Sequence, residues 1–188
     1  MIRRALTVGV LTGALWLVGG GIAWPLEFVA ERITQIDGQS RRASVYYRDG
    51  MWRVEHYDGG PVNVMIVRKD KGLTWLLMSR LKQFKTLTYS DTHAPMIGEQ
   101  LEGEIAREKI GSEMLQGHPT TVYRVTVESG GGKTQVYYQW LATDIRLPLR
   151  LALKNGDWLT EYTNIRLTHI SDFMFRIPLN FLPVADAR

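Results

Sequence analysis

Turn signals recur along this chain at intervals too short for a helical protein. They stand at Asp37-Gly38, Asp49-Gly50, Asp58-Gly59-Gly60, Asp70-Lys71-Gly72, 129–133 and Asn155-Gly156. Gly supplies a positive φ at no steric cost, and Asp or Asn tolerates one, so each pair marks a hairpin turn. Between the turns lie short runs rich in β-branched and aromatic residues. Trp52, Val54 and His56 alternate with Arg53 and Glu55. Val62, Val64 and Ile66 alternate with Asn63, Met65 and Val67, and Leu73, Trp75 and Leu77 with Thr74, Leu76 and Met78. The same period of two runs through Tyr123, Val125 and Val127, through Val136, Tyr138 and Trp140, and through 145–153. Adding 28–36, 43–48, 84–89, 104–114 and 158–167 gives about eleven strands. One short helix is expected to begin at Pro95, limited by Gly98 and Gly103.

Several strands are apolar on both faces, notably 62–67 and 73–78. A flat sheet with one wet face does not need that, whereas a strongly curved sheet does. The expected fold is therefore mainly β: a curved antiparallel sheet or incomplete β-barrel of about eleven strands with few short helices. The 6 Trp, 8 Tyr and 5 Phe give its interior bulky walls.

The first 23 residues read differently. Arg3 and Arg4 precede an uncharged run from Ala5 to Val18, and Gly21-Ile22-Ala23 puts small residues at −3 and −1 of a cut. That is the order of a cleavable secretory signal peptide, leaving one domain over 24–188. The apolar run is short for a membrane span, and the alternative is retention as an N-terminal anchor. Without Arg3 and Arg4 the 23 Lys and Arg fall to 21 against 19 Asp and Glu, so the net charge of +4 becomes +2. A balance so close to even does not point to nucleic acid. The absence of Cys excludes a disulfide scaffold, a thiolate zinc site, a Cys nucleophile and a Cys-anchored lipoprotein.

Catalytic patterns fail. His56, His93, His118 and His169 form no HxxxH or HExxH pair, so no metal is expected. Gly130-Gly131-Gly132-Lys133-Thr134 imitates a phosphate-binding loop, but Val127 stands where the motif needs Gly and a strand follows. It reads as a hairpin turn. The carboxylates from Glu99 to Glu113, interleaved with Arg107 and Lys109, read as a solvated segment. His56 beside a carboxylate such as Glu161 is the one pair an enzyme reading would test first. No enzyme activity and no cofactor are expected.

Several segments, in order and spacing, resemble the periplasmic lipoprotein-carrier superfamily, the LolA- and LolB-like proteins with their lipoprotein-sorting relatives. They are Trp52-Arg53-Val54-Glu55, the run 66–77 across its basic-acidic turn, and Gly111 to His118 leading into Tyr123-Arg124-Val125. Leu147-Pro148-Leu149-Arg150, Glu161-Tyr162-Thr163-Asn164-Ile165 and Phe175-Arg176-Ile177-Pro178 complete the set. The resemblance implies an eleven-stranded incomplete barrel around a hydrophobic cavity that takes lipoprotein acyl chains. Combined with the alternation, it implies a cavity wall of Trp52, Val54, Val64, Ile66, Trp75, Leu77, Tyr123, Val125, Tyr138 and Trp140. Arg48, before the Asp49-Gly50 turn, is the nearest match to the family's gating Arg. The lid helix that carriers of this family begin with has no room between residue 23 and Phe28.

The expectation is thus a monomeric, non-enzymatic periplasmic carrier for a lipid, a lipoprotein acyl chain or another apolar ligand. Its partners would be a membrane transporter or an outer-membrane acceptor, and not nucleic acid. The alternative is an envelope sensor or interaction module that contacts a membrane-protein partner.

Overall fold

The computed structural model describes residues 26–93, 95–129 and 131–184. The expected signal peptide and its cut lie outside the described residues. The chain forms β1 (Glu27–Ile36), β2 (Gln39–Arg48), β3 (Met51–His56), β4 (Val64–Arg68), β5 (Leu73–Met78) and β6 (Gln83–Thr88). It continues with β7 (Glu104–Leu115), β8 (His118–Ser129), β9 (Lys133–Ala142), β10 (Leu147–Leu153), β11 (Trp158–Leu167) and β12 (Leu182–Pro183). All twelve belong to one sheet, ordered β12-β6-β5-β4-β3-β2-β1-β11-β10-β9-β8-β7.

Two meanders, β1–β6 and β7–β11, are joined where the first strand meets the eleventh. That ladder runs antiparallel from Phe28 opposite Leu167 to Ile36 opposite Trp158, with a bulge between Val29 and Glu31. The sheet curves but does not close, so β7 and β12 are its edges. The eleven expected strands are all present. The twelfth is a two-residue strand lying parallel to β6, opposite Gln83 and Phe84.

The Asp-Gly signals act as expected. Asp37-Gly38 has φ of 50° and 78°, and Asp49-Gly50 has 46° and 72°. Two successive left-handed residues give the hairpin turn whose twist matches that of the flanking strands. Gln116-Gly117 does the same at 52° and 83°, a turn that lacks the Asp or Asn that would have announced it. The 129–133 segment joins β8 to β9, with Ser129 opposite Lys133.

Two boundaries differ from expectation. The strand expected over 62–67 starts at Val64; the Asn63 backbone still bonds both neighbours, accepting the His56 N–H at 2.8 Å and donating to the Leu77 carbonyl at 3.1 Å, while its Oδ1 accepts the Ser79 N–H at 2.9 Å. No helix begins at Pro95. The described helical elements are 3₁₀ turns at Lys69–Lys71, Asp91–His93 and Asp172–Phe175. From Ile97 to Leu101 the backbone instead serves as a cover, with polar groups bonded to side chains of the sheet.

The inner face carries Phe28, Ala30, Ala43, Val45, Trp52, Val54, Val67 and Tyr162, which cluster with Leu147 and Leu149 from the second meander. Phe28, Tyr47 and Trp52 form an aromatic knot, with centroids 4.2 Å apart for Tyr47–Trp52 and 5.4 Å for Phe28–Tyr47. Such pairs add about 0.5–1.5 kcal/mol beyond their area burial. The outer face of the first meander carries a second core of Val64, Ile66 and Leu77 under Ile170 and Phe175.

Gly103 ends the cover and fixes it to β8. Its φ is 73°, its carbonyl accepts the Glu128 N–H at 2.8 Å, and a Cβ there would stand 2.5 Å from the Glu128 oxygen. Gly103→Ala is therefore expected to destabilise by about 2 kcal/mol. Thermal denaturation of the variant checks this; an unchanged midpoint would show that the junction yields freely.

Candidate functional site

The inner face is a trough with a polarity gradient written along its strands. Across β1, β2 and β3 the register gives successive rows of Phe28, Tyr47 and Trp52, then Ala30, Val45 and Val54, then Arg32, Ala43 and His56. Alternation puts every second residue of a strand on this face, and the antiparallel register aligns the rows.

Residues 95–103, between β6 and β7, cover the trough. Ile97 packs into the large inner cluster, and Leu101 packs on Val125, Val127 and Leu151. The fasteners are polar. Arg107 on β7 donates to the Glu99 carbonyl at 2.6 Å, to Gln139 Oε1 at 2.8 Å and through Nε and Nη2 to both oxygens of Glu104, each at 2.7 Å. Gln139, fully buried on β9, gives its Nε2 to the Gly98 carbonyl at 3.1 Å. The Arg107 guanidinium also lies 4.7 Å from the centre of the Tyr123 ring. A guanidinium has five donors in a rigid fork, so one residue serves a carboxylate, an amide and a carbonyl together. Its hydrogen bonds hold the Glu104 carboxyl below the usual carboxylate range, against the opposing effect of burial. This pair was expected to be solvated. The burial comes from the cover, which the local charge pattern does not reveal.

A second cover lies on the outer face. The chain after β11 runs back over β2–β6 as a strap, seating Ile170 and Phe175 on Val64, Ile66 and Leu77, with Trp75 and Phe84 at the margin. Three arginines hold its main chain. Arg48 Nη1 donates to the Ile170 carbonyl at 2.5 Å, Arg53 Nη1 to Met174 at 3.2 Å and Arg68 Nη1 to Phe175 at 3.0 Å. Each has a carboxylate partner as well: Asp172 for Arg48, Glu55 for Arg53 and Asp70 for Arg68. The guanidinium hydrogen bonds hold the Asp70 and Asp172 carboxyls below their ordinary range. A cleft of about 390 Å³ remains where strap meets sheet, with Arg48, Met51, Arg68, Trp75 and Arg176 among its walls.

The ten expected wall residues do not share one surface. Trp52, Val54, Tyr123 and Val125 face the inner trough. Val64, Ile66, Trp75 and Leu77 face outward under the strap. Tyr138 and Trp140 lie on the outer face of β9, where Arg150 stands 5.3 Å from the Trp140 ring centre and the indole N–H donates to Glu113. Arg48 is a fastener of the strap. His56 is on the inner face and Glu161 on the outer one, so the sheet separates that pair. Arg53, Arg68, Arg107 and Gln139 are the residues that sequence reasoning missed. The one advance signal of the three arginines is a carboxylate two or three positions away, as in Arg53-Glu55, Arg68-Asp70 and Glu104-Arg107, and Gln139 has none.

No protein-family model matches the sequence, and no curated protein matches it. Solved structures do share its fold. An uncharacterised conserved protein from Thermus thermophilus matches with a TM-score of 0.58 at 14% identity, over 85% of this chain and 90% of that one. MucB, in the MucA/MucB complex of Pseudomonas aeruginosa, matches with a TM-score of 0.55 at 16% identity. There the match covers 82% of this chain and 56% of MucB, so this chain spans little more than half of MucB. A LolA superfamily protein from Nitrosomonas europaea is also matched, with a TM-score of 0.39 at 11% identity, over 81% and 90% of the two chains. At such identities the likeness is one of fold.

Proposed function

We propose that this chain is a non-enzymatic binding protein or carrier for an apolar chain, a lipid or a lipoprotein acyl group, working as a periplasmic monomer after loss of residues 1–23. One observation carries the reading. The apolar trough of an open sheet is filled by a single irregular segment, with Ile97 and Leu101 as its plugs, rather than by a second layer of regular structure. Lifting that segment breaks side-chain bonds to Gly98 and Glu99 and leaves the sheet ladder intact. Each methylene then buried in the trough is worth about 0.8 kcal/mol, so a long acyl chain can replace two plugging side chains. Trp52, Val54, Tyr123 and Val125 are the proposed walls, and Arg48 is proposed to gate the strap on the far side.

Gently purified protein is expected to carry lipid detectable by native mass spectrometry. Delipidated protein is expected to gain hydrogen exchange at 97–103 when mixed with lipid. A ligand-free mass together with unchanged exchange would sink the carrier reading. A second reading, a module that docks on a membrane-protein partner, has its own support in Phe173 and Leu182, 68% and 69% exposed beside the strap's buried anchors. MucB, which shares the fold, is found with MucA. Recovery of a stable membrane-protein complex with an empty trough would favour it over transport.

A further inference from the structure

The polar end of the trough holds a guanidinium that lacks what the other part-buried arginines have. Arg48, Arg53, Arg68, Arg107 and Arg150 are paired with Asp172, Glu55, Asp70, Glu104 and Glu161. No ion pair among the described residues involves Arg32, Arg41 or His56. Arg32 Nε and the Tyr162 hydroxyl, opposite each other on β1 and β11, are buried without a hydrogen-bond partner among the described residues. A buried donor left unmade costs free energy, more so on a charged group, so a pair of them marks a place where an acceptor is missing.

The surrounding geometry suits an anion. His56, Ala43, Arg32 and Tyr162 form one inner-face row across β3, β2, β1 and β11. Strands about 4.8 Å apart set Arg32 and His56 roughly 10 Å from each other, with only the methyl of Ala43 between them. Arg41 lies on the same face two residues along β2. Burial first, then Arg32 and Arg41, lower the His56 pKa, while Asp58 opposes them. Burial pushes the Tyr162 hydroxyl up to about 12, against the lowering effect of the adjacent Arg32, so it remains a donor at neutral pH. Donors and positive charge thus converge above Ala43, and among the described residues Asp58 is the one carboxylate that raises the His56 pKa.

We infer that this row is an oxyanion site, which receives the carboxylate or phosphate of an anionic amphiphile. Arg32 and the Tyr162 hydroxyl donate to it, Arg41 adds charge, and His56 binds it best when protonated. The next rows, Ala30 with Val45 and Val54, then Phe28 with Tyr47 and Trp52, continue the surface in the order an amphiphile needs: headgroup, chain, chain end. This rests on the reading of the inner trough as the ligand site, and the test separates the two.

The probes are inorganic phosphate, dioctanoyl phosphatidic acid and dioctanoylglycerol, titrated into the full chain and into Arg32→Gln. The histidine resonances are followed by NMR across pH. Phosphatidic acid is expected to bind at least tenfold tighter than dioctanoylglycerol and to raise the His56 pKa, with both effects lost in Arg32→Gln. Equal binding of the two lipids, unaltered by Arg32→Gln, overturns the oxyanion site and leaves the trough reading standing. A His56 shift with phosphate alone, abolished by Arg32→Gln and with neither lipid bound, supports the anion site and overturns the amphiphile. No response to any probe overturns both. Ala43→Leu places a bulky side chain between Arg32 and His56 without changing charge, so it must also abolish the His56 shift if the site is real, whatever the effect of Arg32→Gln on folding.

Discussion

Arg107→Ala is expected to cost about 3 kcal/mol of folding stability and to loosen the cover of the trough. Removing one partner of a buried ion pair leaves the other charge uncompensated, typically at 3–5 kcal/mol. Here the Glu104 and Arg107 side chains are 13% and 21% exposed, which places the cost at the lower end. Gln139 would lose the donor to its Oε1 while fully buried, and the Glu99 carbonyl would lose its bond as well. The pH dependence gives an independent check. The folded Glu104 pKa lies below its ordinary value of 4.5, chiefly through the hydrogen bonds from Arg107. Its contribution is therefore present above that ordinary value and is lost as pH falls through the folded pKa. Without Arg107 burial prevails and the carboxyl shifts upward, so acid unfolding should begin at a higher pH in the variant. Urea titrations at pH 7 and along an acid series measure both effects. An unchanged acid limb would show that the pair is effectively solvated. If the cover gates the trough, the same variant should also bind an apolar fluorescent probe more strongly than the parent.

Phe175→Ala is expected to be the most damaging single change in the strap, at about 3–5 kcal/mol. Phe175 has no exposed surface and seats the strap on Val64, Ile66 and Leu77. It also lies under the Arg48 guanidinium, 5.4 Å from its ring centre. Truncation leaves a cavity that the sheet cannot close, since Val64 and Ile66 are fixed in ladders on both sides. The strap should then open ahead of the sheet, and limited proteolysis should cut after residue 168 before it cuts elsewhere. Simultaneous loss of strap and sheet would mean that the two form one cooperative unit. A loss below about 1 kcal/mol would mean that the arginines, rather than Phe175, hold the strap.

The strands were legible because their signals are local. Asp37-Gly38 and Asp49-Gly50 need left-handed residues, and the runs between them alternate, so turn chemistry and periodicity agree. The assignment of faces was not legible in the same way. Trp52 and Trp75 each head an alternating run, yet they end on opposite faces. The phase of alternation passes from one strand to the next through the connection, and between β3 and β4 that connection is the aperiodic stretch 57–63. The trough's cover was hidden for a different reason. Residues 95–103 have no period, and bonds to distant parts of the chain give them a position, among them those of Arg107 and Gln139 and that of the Gly103 carbonyl to the Glu128 N–H. Arg48 could be singled out by its place beside a turn, but its partners Ile170 and Asp172 lie 122 and 124 residues away.

The pairing of β1 with β11 sets a timetable for making this protein. The hydroxyls of Thr34 and Thr160 meet at 3.0 Å across 126 residues of chain. A chain made from its N-terminus must therefore carry one bare edge of β1 until its last long strand exists. Contacts between such remote partners slow folding, because the entropy of closing the loop is lost before the contacts form. During that interval the exposed edge is a template for any passing strand. The seam that unites the two meanders is thus the last part of the sheet to form, and a chain ending before residue 167 would leave it open.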